Sequence, residues 1–593
     1  MKLVGSWRAA STAESPKRVG FMLYKMFRKY SAVMRSQVQP VLIPYLLFIV
    51  LTGSTLLVLP YSVTDPINLP KMVFMSVGAM LIFGLMADSG EFRIRRNHYP
   101  FLLLILSFIV VSVSQLVTTS GPMSETFYGI PGRNTGILTY VSFTLIAWIS
   151  FHISSTSNFR KIFSLAATLG LILAIYGIFQ ELGKEPFPYM NVYESNVFGT
   201  FGNPNFQSAF LGVIAVLALS TLLAGNLKPS LNVFYLILLI LSLLGVYQTN
   251  SIQGFFNFAI GSAIFVLLLL YSKKLYRLSI ALGILIVFGI VNVVLSFFQV
   301  GPLAELIYKG SMSARVYYWD TAIRIWSDFP IVGVGLDQYG DWLRVYRSSE
   351  EVKRNLTADS SHSVYLDILS GGGAVLFLLY VCFTIYVIRS IVRVVKRSTT
   401  PPIEFLILVG LWVAHQAQSL ISIGHIGVAV WGWVFTGLII GYEVKTRETS
   451  SNEDSKNARA IQKTSGSGHF GFKPVFGGLI GLILGCVLAL PPITSASTYY
   501  NSFKTSDARV IKTATYVKPY NRNSFIQVSR LLKANQFDGM ALEIATDGVR
   551  YFPNSFLAWR VLLDMTQEGT QQREQALSRL RELDPNNPDF MKK

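Results

Sequence analysis

The chain has 593 residues, of which 51% are hydrophobic and only 14% are charged. Soluble proteins carry roughly 25% charged residues, and many windows of this chain run for about 20 residues without a charge, the length that crosses a bilayer. Composition therefore excludes a soluble globular protein and predicts an all-α polytopic membrane protein. The net charge of +19 can indicate a nucleic-acid partner, but the basic residues fall in the loops between apolar runs, so we expect none.

The apolar runs predict thirteen transmembrane helices, preceded by a basic segment. If this segment is placed in the cytoplasm, the Lys and Arg residues concentrate in alternate loops, as the positive-inside rule requires. The long polar loop 299–363 and everything after residue 492 then lie on the outer side. The predicted spans are 41–60, 70–87, 100–118, 136–155, 162–181, 205–224, 231–248, 252–271, 278–298, 364–388, 403–422, 426–443 and 474–492.

Five parts follow from this pattern. In the last of them, residues 493–593, apolar residues recur at helical spacing, with breaks at Pro553 and at Pro585. It resembles tetratricopeptide-type units, whose stacked helix pairs bind partners, and an envelope protein is the expected partner. A small helical cap without a partner fits equally well. The parts are a basic cytoplasmic N-terminus (1–40), a membrane bundle (41–443), a flexible cytoplasmic linker (444–473), a last transmembrane helix (474–492) and an extracytoplasmic helical domain (493–593).

The long outer loop contains the strongest candidates for chemistry. Residues 313–326 have the apolar recurrence of an amphipathic helix, with Arg315 near its start, and His362 stands just before the next apolar run. Arginine presents a planar fork that holds phosphate oxygens, and histidine is a ready base near neutral pH. The pair predicts a site for a phosphorylated substrate. The alternatives are an arginine that extends to the membrane interface and a structural histidine.

Two further outer loops have turn signals. In the first, glycines flank Arg133 and would allow close approach of a ligand to the backbone, although a plain turn fits as well. In the second, Asn203 and Pro204 predict a turn and Asn205 the cap of the next helix, whose free N–H groups could receive an anion. No cluster or motif of metal ligands is present in the sequence, so we predict neither a metal nor a cofactor.

Three segments resemble motifs of the O-antigen ligase and polymerase superfamily. Residues 199–205 read G-T-F-G-N-P-N and are similar to its G-T-F-x-N-P-N segment. Residues 313–319 read S-A-R-V-Y-Y-W and precede P-I-V-G-V-G at 330–335, similar to its S-x-R-x-x-x-W and P-x-x-G-x-G loop. Residues 361–366 read S-H-S-V-Y-L and are similar to its H-N-x-Y-L segment, with Ser363 where the family often has Asn.

The resemblance implies a metal-independent membrane glycosyltransferase of the bacterial inner membrane. Such an enzyme transfers a glycan from an undecaprenyl diphosphate carrier to a lipid, glycan or protein acceptor. By position, Arg315 would hold the diphosphate and His362 would prepare the acceptor hydroxyl. Gln253 stands where many family ligases have a second Arg, so Arg133 is our candidate for the second phosphate contact. The other candidate substrate-binding residues in these motifs are Asn203, Asn205, Trp319, Gln253 and Tyr365.

Several alternatives stay open at this point. Within the superfamily, the chain could be a ligase, a polysaccharide polymerase or a protein O-oligosaccharyltransferase. A lipid-linked glycan transporter is an alternative of another class, but it would place charges near the middle of its spans, and few are found there. A structural protein that works through its outer helical domain is a further alternative.

Overall fold

The computed structural model describes residues 39–89, 94–188, 196–225, 227–307, 310–398, 400–456 and 474–591. Nearly all of the predicted basic N-terminus lies outside the described residues, as do residues 457–473 of the predicted linker. Within those ranges the regular elements are helices, and we number the α-helices α1 to α24. They are α1 Gln39–Leu56, α2 Asn68–Ser89, α3 Tyr99–Thr118, α4 Met123–Tyr128, α5 Ile137–Ile153, α6 Thr156–Glu181, α7 Pro204–Ala224, α8 Pro229–Gln248, α9 Gln253–Ser272, α10 Tyr276–Phe297, α11 Ala304–Ile307, α12 Gly310–Asp328, α13 Tyr339–Tyr346, α14 Ser349–Lys353, α15 Val364–Arg397, α16 Ile403–Ile421, α17 Ile426–Lys456, α18 Pro474–Ser502, α19 Ala508–Thr515, α20 Arg522–Ala534, α21 Asp538–Tyr551, α22 Phe556–Met565, α23 Gln571–Leu583 and α24 Pro588–Met591.

The long apolar helices confirm the prediction of an all-α polytopic membrane protein. Eleven helices of the described chain are long and apolar enough to cross a membrane, and two shorter apolar helices lie at Leu42–Leu56 and Ile137–Ile153. Together they coincide with the thirteen predicted spans, although the exact number of spans that cross the membrane stays a prediction. The amphipathic helix predicted in the long loop is α12.

One predicted helix cap is wrong, and one predicted membrane span is part of a longer helix. The cap of α7 is Asn203, whose side-chain oxygen accepts a hydrogen bond from the backbone N of Asn205 at 2.9 Å. Proline suits the first helical position, so the cap lies immediately before Pro204 and not at Asn205. The last membrane helix continues past 492 to Ser502, because its end packs on the C-terminal domain, where Tyr499 belongs to the buried core.

The first residues of the predicted cytoplasmic linker are helical, because α17 continues to Lys456. Lys445 Nζ donates to the backbone carbonyl of His152 at 2.5 Å and to that of Ser154 at 3.0 Å. Arg95 Nη1 donates to Glu448 at 2.5 Å. These bonds tie the beginning of the polar segment to neighbouring helices, which the local composition does not indicate.

A break in α15 anchors the long loop to the bundle. Gly373 has φ 67° and ψ −178° inside the helix, and residues 330–335 lie alongside the break. The backbone N of Val334 donates to Ser370 O at 3.0 Å, and the N of Gly335 donates to Gly371 O at 2.8 Å. A Cβ on Gly333 would lie 2.4 Å from Gly371 O, so this close approach of two backbones requires glycine. The break thereby fixes the loop against the helix that follows His362.

The C-terminal domain, α19 to α24, docks on the end of the bundle that carries α4 and α11–α14, which we call the loop end. Arg522 donates to Glu125 in α4 at 2.6 Å and to Asp341 in α13 at 2.7 Å. Arg347, at the end of α13, donates from Nε to Asp584 at 2.9 Å. These ion pairs place the domain and the long loop on the same side, as the sequence predicts.

We expect Asp584→Leu to undock the C-terminal domain. Arg347 is 3% exposed, and the loss of its carboxylate would leave a buried cation uncompensated, at a cost of about 3–5 kcal/mol. Thermal unfolding and limited proteolysis of the full chain in detergent measure this loss. The double variant Asp584→Leu with Arg347→Met should recover most of the stability, because, of the charged groups that remain in the described chain, only the partly exposed Arg344, 3.5 Å from Asp584, then loses a partner. Equal protease resistance of wild type and Asp584→Leu would contradict the expected contribution.

Candidate functional site

The site is built around Arg315, which lies on the inward face of α12. Residues three to four apart share one side of a helix, and the buried residues of α12 follow that spacing: Met312, Arg315, Tyr318, Thr321, Ala322 and Ile325. Arg315 is only 3% exposed. Its Nη1 contacts Met312 Sδ at 2.8 Å, and its Nε has no hydrogen-bond partner among the described residues. Burial lowers the pKa of Arg315 to about 10, so the guanidinium is charged at neutral pH.

Arg315 differs from the other buried arginines, because they form ion pairs with carboxylates. Arg133, Arg347 and Arg522 are largely buried, and each contacts a carboxylate. No carboxylate of the described residues forms an ion pair with Arg315. A buried charge without a counter-charge costs several kcal/mol, and an anionic ligand would remove that cost. The site therefore has the electrostatics of an anion-binding site.

His362 is next to this cation. It lies in a turn before α15 with φ 58°, and its backbone N donates to Ser360 Oγ at 3.1 Å. Its ring stacks on Tyr318, with centroids 5.4 Å apart and planes inclined by 19°. Burial, with a contribution from the positive charge of Arg315, lowers the pKa of His362 to about 4. The imidazole is thus neutral at neutral pH and can accept a proton.

Asp367, in the first turn of α15, fixes the turn that carries His362. Its carboxylate accepts from Ser361 N at 2.7 Å, from Ser361 Oγ at 2.9 Å and from Ser360 Oγ at 2.6 Å. A carboxylate in the first turn of a helix is also stabilised by the helix dipole. Asp367 is not among the residues predicted from the sequence. The available signal was an acidic residue at the start of a helix, just after a Ser-Ser-His run.

Arg133 connects three separate loop segments at the same place. Its Nη1 donates to the carbonyl of Asp359, its Nε lies 3.1 Å from Asp337 Oδ1, and its Nη2 lies 3.4 Å from Asp367 Oδ2. Two carboxylates of the protein therefore already compensate its charge. These contacts favour a positioning role, whereas its predicted role as a second phosphate contact stays a prediction.

The glycines that flank Arg133 differ in what surrounds them. A Cβ on Gly129 would lie 2.6 Å from Asp337 Oδ2, and Asp337 accepts hydrogen bonds from the backbone N of Ile130 at 2.9 Å and of Thr135 at 3.3 Å. Gly129 therefore gives room to a carboxylate of the protein. Gly132, by contrast, has open space around it.

Asn205 and Gln253 belong to a second polar cluster, between α7, α9 and α16. Ser251 Oγ donates to Asn205 Oδ1 at 2.7 Å, and the backbone N of Gln253 donates to Ser251 Oγ at 3.4 Å. Gln253 Oε1 accepts from Gln418 Nε2 at 3.1 Å, while its own Nε2 has no hydrogen-bond partner among the described residues. These three hydrogen bonds hold the cluster together without reaching Arg315 or His362.

Tyr365 lies in the first turn of α15 and Trp319 in α12. Tyr365 OH donates to Gln416 Oε1 at 2.8 Å and lies 3.1 Å from Thr384 Oγ1. The ring of Trp319 packs on that of Phe297 with centroids 5.1 Å apart. Its indole Nε1 is buried without a hydrogen-bond partner among the described residues. Neither contact tests the predicted role in substrate binding.

A comparison with family models identifies the segment that contains the site. Residues 237–381 match the family model described as Wzy_C, O-antigen ligase. This segment belongs to the O-antigen ligase superfamily. The match covers about a quarter of the chain and runs from α8 into α15, so it includes Gln253, Arg315 and His362 but neither Arg133 nor Asn203. No curated protein matches the chain.

The match confirms the superfamily that the motifs predict. The described chain has the apolar helices of a multi-pass membrane protein, and the family of residues 237–381 supports a glycan-transfer role of the ligase and polymerase type. The tetratricopeptide resemblance of the C-terminal domain stays a prediction. The described residues contain no group of three or more His, Cys, Asp or Glu side chains that could hold a metal ion.

Proposed function

We propose that this protein transfers a glycan from an undecaprenyl diphosphate carrier to an acceptor hydroxyl on the outer side of the cytoplasmic membrane. The observation that carries the proposal is the buried cation of Arg315, without a carboxylate partner in the described chain, beside the neutral His362. Both residues lie within the segment that matches the O-antigen ligase family. A diphosphate supplies the negative charge that Arg315 lacks, and a hydroxyl supplies the proton that His362 can take.

The two side chains divide the reaction between them. The bond between the anomeric carbon and the phosphate oxygen breaks, and the charge that grows on the leaving diphosphate is stabilised by the fixed guanidinium of Arg315. The acceptor oxygen forms the new bond to the anomeric carbon, and His362 takes its proton. Displacement in line inverts the anomeric centre. The products are the glycosylated acceptor, the carrier diphosphate and a protonated His362, which returns its proton to solvent.

The hydrogen bonds and ion pairs around the site hold Arg315 and His362 in position. Arg133 joins the backbone of Asp359 to the carboxylates of Asp337 and Asp367, and Asp367 holds the turn of His362. In this proposal Arg133 and Asp367 are positioning residues. The donor amide of Gln253 is a candidate for a further phosphate contact, and the other candidate substrate contacts are Asn203, Asn205, Trp319 and Tyr365.

The proposed orientation rests on charge. Arg95, Lys445 and Arg397 lie among the helix ends opposite to the loop end, and basic residues favour the cytoplasmic side. The loop end, with Arg315, His362 and the C-terminal domain, then faces outward. This arrangement implies a cytoplasmic N-terminus and an extracytoplasmic C-terminal domain. The C-terminal domain is then on the side where it can contact an envelope protein.

The test is a transfer assay with the purified full chain in detergent. It combines an undecaprenyl diphosphate-linked glycan with separate lipid, glycan and protein acceptors, with a chelator present, and reads the product by mass. We expect transfer to one acceptor class, which distinguishes a ligase from a polymerase and from a protein transferase. Carrier movement across vesicles without transfer to any acceptor would overturn the proposal in favour of a transporter.

A further inference from the structure

A polar cavity of about 310 Å³ lies between the C-terminal domain and the loop end, beside the ion pairs that join them. Residues 130–131, 340–341, 343–344 and 357–359 line it on the side of the loop end, and residues 522–523 and 555–557 line it on the side of the C-terminal domain. Its volume is at the lower limit of the range of about 300–1,000 Å³ that ligand sites occupy. The three motifs that resemble the ligase superfamily do not line it, although Ile130 and Pro131 of the Arg133 loop do, and the reaction proposed above does not use it.

The two arginines that line this cavity are already paired with carboxylates of the protein. Arg522 contacts Glu125 and Asp341, and Arg344 lies 3.5 Å from Asp584. Buried and paired charges of this kind fix the walls but leave little net field for an ion. The described lining of the cavity therefore offers no free cation to a phosphate, and the exposed carboxylate of Asp359 can accept hydrogen bonds from a neutral ligand.

The side chains that stay exposed around the cavity offer hydrogen bonds and apolar contacts. They are an amide, a hydroxyl and a carboxylate, on Asn523, Thr357 and Asp359, together with the apolar Leu557, which is 47% exposed. Amides and carboxylates form hydrogen bonds with the hydroxyl groups of sugars, and apolar side chains pack against the C–H faces of a ring. This combination is suited to a saccharide.

A second cavity continues this surface. It has a volume of about 160 Å³, shares Asn523 with the first cavity, and is lined by Tyr128, Tyr499 and Tyr520. Tyrosine combines a large apolar face with a polar hydroxyl, so the second cavity offers the same kind of contact. Asn523 therefore stands between two neighbouring sites of similar chemistry.

The larger cavity is connected to the site by the backbone. Asp359, which lines it, accepts a hydrogen bond from Arg133 through its carbonyl and stands three residues before His362. A ligand bound there would lie along the turn that carries the proposed base.

We propose that this cavity is a saccharide subsite, in which the C-terminal domain and the long loop together hold sugar units of a reactant of the transfer. This inference rests on the proposed function and deepens it. The carrier-linked glycan and a glycan acceptor share the required chemistry, so the test must distinguish between them.

The first test fills the cavity. Asn523 begins the exposed face of α20, and Asn523→Trp should block the subsite and raise the KM for one saccharide reactant about tenfold, with kcat little changed. Asn535→Trp, at an exposed position just past the far end of the same helix, is the matched control and should behave as wild type. An unchanged KM for both reactants in Asn523→Trp, while wild type transfers normally, would overturn the subsite and leave the proposed function intact.

The second test detects the bound sugar directly in the full chain. A p-benzoylphenylalanine at Leu557 is irradiated with the carrier-linked glycan alone or with the glycan acceptor alone, and the adduct is read by mass. A crosslink to the first identifies the donor as occupant, and a crosslink to the second identifies the acceptor. Crosslinks to neither sugar, or to a protein only, would overturn the inference. This readout does not depend on turnover, so it decides the inference even if wild type transfers nothing and the proposed function fails.

Discussion

Arg315→Ala is expected to lower the rate of glycan transfer at least about 10²–10³-fold, the effect of removing one fixed group that stabilises a developing negative charge. The guanidinium is buried beside His362 and has no carboxylate of the described chain to share its charge with, so its full field is available to the leaving diphosphate. Initial rates in the mass assay, at saturating donor, measure the loss. A transfer rate equal to that of wild type would contradict the assignment.

Two control variants separate charge from geometry. Arg315→Lys keeps the positive charge but loses the planar fork, and we expect it to recover only part of the rate. Arg324, further along the same helix, pairs with Asp320 and is half-exposed, so Arg324→Ala should transfer nearly as well as wild type. A similar loss in both alanine variants would indicate damage to α12 and not a specific role of Arg315.

The thermal stability of the protein without substrate distinguishes a substrate-binding role of Arg315 from a structural role. Replacement of a buried, uncompensated charge by an apolar side chain of similar length is often neutral or stabilising. Arg315→Met should therefore unfold at the same temperature as wild type or higher while it transfers no glycan. An arginine with a structural role would show the opposite, a loss of stability on replacement.

The features that the sequence predicts well are those with a local signal. The spacing of apolar residues in 313–326 predicts the amphipathic helix α12, because helical periodicity is a property of neighbouring residues. Arg315 and His362 stand out because they are polar residues close to the ends of apolar runs. Both ends of the long loop are predictable for the same reason.

The contacts that hold the site together have no local signal. Arg133 lies about 200 residues before Asp337 in the long loop and Asp367 in the first turn of α15, and only the fold brings these charges within ion-pair distance. The same holds for Arg347 and Asp584, which join the long loop to the C-terminal domain. A charged residue in a loop is usually solvated, so nothing in the local sequence selects these partners.

The break in α15 shows a different limit. The apolar pattern runs through residues 364–388 without interruption and predicts one continuous helix. The three glycines at 371–373 instead admit the backbone of residues 330–335. A run of glycines marks a place where two backbones can meet, but it does not say which segment arrives.

His362→Gln is expected to reduce kcat about 10²–10⁴-fold, the typical contribution of a general base, with donor binding retained. Glutamine keeps much of the shape and polarity of the ring but cannot take a proton at neutral pH. Rates and donor binding measured on the same preparation separate the two effects. Loss of donor binding with kcat unchanged would argue against a base and for a contact to the donor.

The pH dependence of the wild-type enzyme provides the sharper test. Burial and the charge of Arg315 lower the pKa of His362 to about 4 in the free protein, so kcat/KM, which reports the free enzyme, should fall only as the pH drops through about 4. The bound diphosphate brings negative charge beside the imidazole and favours its protonated form. The acid limb of kcat should therefore lie at higher pH than that of kcat/KM. A limb of kcat/KM near the ordinary histidine value of about 6.5, or an unchanged profile in His362→Gln, would show that another group is the base.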